Sequence, residues 1–111
     1  LQKKGVIPKM ESYFTIGFSD HEVHAIVHQR HGHRSIVIHH SKSHSLTDLL
    51  LKTDGEGNPQ IFATGGRLIE SIRDLDHYWP TGWRCIRNII AMIEQAMETE
   101  LFFTKAIHTL T

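Results

Sequence analysis

Between residues 13 and 40, apolar and polar side chains alternate through three short segments, and eight of the chain's ten histidines fall between His21 and His44. A period of two is the pattern of a strand with one face buried and one open, because successive Cβ atoms point to opposite sides of a sheet. Phe14, Ile16 and Phe18 share one side of the first segment. In the second, His24, Ile26 and His28 oppose Val23, Ala25 and Val27, and in the third Ile36 and Ile38 oppose Val37 and His39. Ser19 and Asp20 are turn formers, and Gly32 between His31 and His33 supplies the positive φ that a tight reversal needs. An antiparallel meander of three strands is the expected result.

The remainder changes period. Ser45, three residues before Asp48, opens residues 46–52 as a short helix; 54–59 form a loop; 60–64 form one more strand, closed by Gly65 and Gly66. From Arg67, Leu68, Ile72, Leu75 and Trp79 recur at helical spacing. Pro80 and Gly82 interrupt, Thr81 is a suitable N-cap, and Ile86, Ile89, Ile90, Ile93, Met97 and Leu101 form one helical stripe. Laying the helices on one face of the sheet gives a two-layer α+β sandwich, with an antiparallel meander sheet of three to four strands packed by two to three helices in the order β-β-β-α-β-α-α. Residues 1–10 are expected to be a flexible or peripheral N-terminal segment of a single domain spanning 1–111. A first residue other than Met suggests that residues upstream are missing.

Composition narrows the function. At 111 residues and 40% hydrophobic, the chain can bury one core. Twelve basic residues balance twelve acidic ones, so there is no general electrostatic argument for nucleic acid or membrane binding. The distribution is less even than the total: residues 1–44 carry six Lys and Arg against three Asp and Glu, or +3. Protonation of the histidines below about pH 6.5 would add to that charge. The single cysteine, Cys85, allows no intrachain disulfide and fits a reducing compartment. No apolar run approaches the ~20 residues that cross a bilayer, and the opening residues lack a leader pattern, so the expectation is a cytoplasmic protein.

Imidazole can ligate a metal, move a proton and change charge near neutral pH, which makes the cluster the first candidate site. His24 and His28 would lie on one side of a strand about 13 Å apart, too far to share an ion. His31, His33 and His39, brought together by the reversal, are the candidate zinc ligands if the protein binds metal. No His-Glu-x-x-His is present, since His21-Glu22-Val23-His24 is one residue short. A serine nucleophile would need a Gly-x-Ser-x-Gly turn, which is absent. Cys85 in the first turn of a helix is read as a small apolar filler. Gly65-Gly66-Arg67 before a helix is an anion-loop candidate without the rest of a P-loop, and is read as a turn.

The most distinctive linear stretch is Asp76-His77-Tyr78-Trp79-Pro80-Thr81-Gly82-Trp83-Arg84-Cys85-Ile86-Arg87. It resembles the FYRN half of FYR domains of chromatin proteins in an aromatic-Pro-x-Gly-aromatic-x-x-x-Arg core, matched by Trp79, Pro80, Gly82, Trp83 and Arg87. In that family strand-forming residues follow, whereas residues 88–101 here are helical in pattern, so no function is carried across. Read by itself, the stretch forms a hydrophobic corner in which an exposed Trp79 or Trp83, with Arg84, would anchor a partner. The resulting expectation is a noncatalytic binding domain for a protein or small ligand through His24, His28, His39, Trp79, Trp83 and Arg84. A homodimer is expected, without cofactor, nucleic acid or membrane. The alternative is a small histidine-dependent enzyme or a zinc-binding protein.

Overall fold

The computed structural model describes residues 10–17, 22–30, 33–40, 48–79 and 86–110. Six strands form one antiparallel sheet in sequence order: β1 (Met10–Gly17), β2 (Glu22–Arg30), β3 (His33–His40), β4 (Leu49–Thr53), β5 (Pro59–Ala63) and β6 (Arg67–Leu68). Three helices follow, α1 (Ile72–Tyr78), α2 (Ile86–Ala96) and α3 (Phe102–His108). The α+β class with a meander sheet and three helices holds, while the strand count and element order change.

Two local readings account for the difference. The described part of the helix expected over 46–52 is a strand: Leu49–Thr53 is β4, hydrogen-bonded between β3 and β5. A leucine run suits either state, and here pairing on both sides satisfies its backbone while Leu49 and Leu51 enter the core. Arg67 opens no helix either. Arg67–Leu68 returns as β6 beside β5, with Gly65 at φ +87 and Gly66 at φ +80 making the reversal that a side chain would strain. The candidate anion loop is therefore a hairpin turn. Helix α1 begins only after Ser71, whose hydroxyl accepts the Asp74 N–H at 3.1 Å as an N-cap.

The core lies between one sheet face and the helices. Val23, Ala25 and Val27, Ile36 and Ile38, Leu49 and Leu51, and Ile61 and Ala63 supply the sheet side. Leu75, Ile86, Ile89, Ile90, Ile93, Phe103 and Ile107 supply the helix side. Full burial of side chains this size is worth about 1.5–3 kcal/mol each relative to exposure. Phe14 and Ile16 also point to this side but are only partly buried, because β1 is the sheet edge. The apolar stripe of α2 meets this face as its spacing predicts.

The expected single helix through Leu101 is instead two. Helix α2 ends at Ala96, and Glu98 takes φ +58, the left-handed conformation that closes a helix and usually falls to glycine. The turn points α3 back so that the buried Glu94 carboxylate reaches its first amides. Because Glu98 is exposed and a side chain at positive φ is disfavoured, Glu98→Gly is expected to raise stability by roughly 0.5–1 kcal/mol, read as an upward shift in urea midpoint. No helix among the described residues is long and apolar enough to cross a membrane. Residues 1–9 lie outside the described residues, and Met10 is already part of β1.

Candidate functional site: the open face of the sheet

Strand pairing decides what the face away from the helices carries. Tyr13 pairs with Ile26, Ile26 with Val37, Val37 with Leu50, Leu50 with Phe62 and Phe62 with Leu68. One apolar row thus crosses every strand of the sheet, roughly 24 Å long at the usual strand spacing. Tyr13 is 68% exposed and Leu68 42%, while the four between them are half-buried by their neighbours in the sheet. No described element packs over them.

Polar rows border this ladder on both sides. On one side Thr15 faces His24 and His24 faces His39 across β1, β2 and β3. His39 Nδ1 lies 2.7 Å from Asp48 Oδ1, so the ring donates to the carboxylate and is oriented by it. Asp48 is itself held by its N–H donating to Thr64 Oγ1 at 2.8 Å. His24 Nδ1 is 3.4 Å from Thr15 Oγ1, and its Nε2 is 3.5 Å from Glu22.

On the other side Glu11, His28, Ser35, Lys52 and Gln60 face one another in sequence. His28 Nδ1 stands 3.0 Å from Glu11 Oε2, the Tyr13 hydroxyl donates to the same carboxylate, and Lys52 Nζ lies 5.1 Å from the Phe62 ring centre. By accepting that hydroxyl, Glu11 holds the Tyr13 phenol above its ordinary pKa, and desolvation and the carboxylate charge act in the same direction.

Three of the expected site residues, His24, His28 and His39, therefore share the open face, and the first and last are direct cross-strand neighbours. The rest separate. Trp79 is 2% exposed and belongs to the core, where no surface ligand reaches it. Trp83, Arg84 and His31 lie outside the described residues. His33 opens β3 opposite Arg30, and His39 is six residues further along the same strand, about 20 Å away, so these two cannot share an ion. Among the described residues no three His, Cys, Asp or Glu side chains form a group able to hold a metal.

Sequence reading missed Asp48, Glu11 and the Leu50–Phe62–Leu68 half of the ladder. In sequence Asp48 fits a helix-start pattern with Ser45; only the pairing of β3 with β4 places it beside His39. A cleft of about 490 Å³ lies at the β5–β6 end, where Gln60 and Leu68 of the open face meet Pro59, Ile69, Ala106 and Leu110. Comparison of the chain with protein-family models, with curated proteins and with solved structures gave no match.

Proposed function

We propose that this chain is a noncatalytic interaction domain, and that its open sheet face receives an amphipathic helix of a protein partner. The observation behind this reading is the unbroken ladder from Tyr13 to Leu68 with nothing described above it. A contiguous apolar patch rimmed by polar groups is the usual mark of an interaction surface. Its length corresponds to about 16 residues of α-helix, which would present one apolar stripe to the ladder and polar flanks to the two bordering rows. The ladder spans all six strands, an extent that suits a macromolecular partner better than a small ligand. Lone Cys85 accords with a reducing compartment, and we place the domain in the cytoplasm.

The second reading rests on the His39–Asp48 pair, whose geometry is that of an oriented imidazole base. Against it, none of the described face histidines receives a hydrogen bond from a serine or cysteine.

Val37→Glu separates the readings. Val37 sits mid-ladder on the open side, so the folded chain is expected to lose no more than about 1 kcal/mol, the span of strand propensity. A library of 16-residue amphipathic helical peptides, screened by fluorescence anisotropy, should yield binders to the wild type that Val37→Glu weakens at least about tenfold. Failure to select any helix, or equal binding by the variant, contradicts the proposal. Binders that respond to His39→Gln and not to Val37→Glu would support the histidine-based reading.

A further inference from the structure

We infer that a second copy of this chain adds to the outer edge of β1, antiparallel and two-fold symmetric, with Tyr13 facing Tyr13 of the other copy. The inference rests on the edge strand and not on the partner proposed for the open face.

The two sheet edges are built differently. β6 is two residues long and follows two glycines at positive φ, so it offers little to pair with. β1 is eight residues, pairs with β2 without interruption from Met10 to Gly17, and contains neither lysine nor proline. Lysine, proline, bulges and brevity are among the means by which sheets block edge pairing, and β1 has none of these; its one charge, Glu11, is engaged by His28 and Tyr13. Its composition, Tyr13, Phe14, Thr15 and Ile16 in succession, is that of an interior strand. Both apolar layers also run to this edge unfinished: the open-face ladder stops at Tyr13, 68% exposed, and the core stops at the partly buried Phe14 and Ile16.

Symmetry and charge select the register. In a two-fold antiparallel pair the residue on the axis faces itself, and directly opposed residues share a face. Centring on Phe14 would set Glu11 against Gly17 of the other copy, beside that copy's Glu22, placing like charges together. Centring on Tyr13 sets Glu11 against Thr15, whose inner neighbour is His24 at 3.4 Å. The second register pairs Met10 with Ile16 and Ser12 with Phe14, covers the half-buried core residues, and joins the two ladders end to end. A zero formal net charge adds no repulsion between copies.

The test is sedimentation velocity over roughly 1–200 μM, with the wild type, Tyr13→Lys and Val37→Glu. The wild type and Val37→Glu are expected to dimerise, and Tyr13→Lys, which puts like charges face to face, to weaken dimerisation at least about tenfold. Tyr13 is exposed, so an unchanged circular dichroism melt checks that the variant is folded. In a Cys85→Ser background, Tyr13→Cys should form an intermolecular disulfide under mild oxidation. Thr15→Cys should not, because its counterpart lies about 13 Å away, beyond the ~7 Å limit. A wild type monomeric throughout, a dimer abolished by Val37→Glu and kept by Tyr13→Lys, or equal cross-linking of the two cysteine variants would overturn the inference. The peptide screen on the open face is unaffected by any of these outcomes.

Discussion

Replacing Glu94 with alanine is expected to cost about 3–4 kcal/mol and to lower the melting temperature by on the order of 12 °C, the largest effect of any single charged side chain described here. Glu94 is 1% exposed, yet its carboxylate is saturated with donors. Oε2 accepts the Phe103 N–H at 3.0 Å, and Oε1 accepts both the Thr104 N–H at 3.0 Å and the Thr104 hydroxyl at 2.6 Å. These amides belong to the first turn of α3, whose own N-cap residue, Leu101, has no side-chain oxygen to offer them. Glu94 therefore caps α3 from α2. Arg34 of β3 completes the arrangement, with Nη1 3.8 Å from Glu94 Oε2 and the guanidinium 5.6 Å from the Phe102 ring centre.

Many buried ion pairs can be exchanged for apolar groups at little cost, but only when both partners go. Here two of the partners are backbone amides, which no substitution removes, so alanine leaves these two and the Thr104 hydroxyl without their acceptor and Arg34 without its counter-charge. Glu94→Gln should cost less, about 1–3 kcal/mol, since one amide N–H must then face an NH₂ group. Thr104→Val should cost about 1 kcal/mol alone and almost nothing on top of Glu94→Ala, because the same acceptor is already gone. Chemical denaturation of the wild type, the three single variants and the Glu94→Ala/Thr104→Val double variant measures this. A Glu94→Ala variant within 1 kcal/mol of the wild type would contradict the capping role.

Trp79→Ala is expected to destabilise the fold by about 3–5 kcal/mol, the usual cost of truncating a buried aromatic. Trp79 ends α1, its N–H donates to the Leu75 carbonyl at 2.8 Å, and its side chain is 2% exposed among the core residues. Trp79→Phe should recover more than half of the loss by refilling most of the volume. Had this residue anchored a ligand at the surface, truncation would leave the urea midpoint nearly unchanged, so one denaturation series distinguishes the two roles. Tryptophan next to proline in a polar stretch reads equally as corner or anchor from sequence, because burial depends on what α1 packs against.

The histidine face shows how far local pattern carries. Alternation places His24, Ile26 and His28 on one side of β2 and His39 with Val37 on one side of β3, and the structure keeps both groupings on the face away from Phe14 and Ile16. It could not place Asp48 against His39, or extend the ladder through Leu50, Phe62 and Leu68. Those neighbours are set by register between strands, and a slip of one residue would move every one of them to the opposite face. The wrong helix at 46–52 has the same origin: local propensity admits both states for a leucine run, and β3 and β5 on either side select the strand.

Periodicity along the chain was sufficient for the class of fold, the grouping of side chains by face in each of the first three strands and the apolar stripe of α2, because each depends on side chains no more than about four residues apart. Contacts across the fold chose β4 over a helix, broke the last helix at Glu98, buried Trp79 and assembled the ladder and its histidine borders. Such choices are settled by the free energy of pairing and packing between segments distant in sequence, where a backbone amide or a half-buried leucine finds its partner only after the sheet has formed.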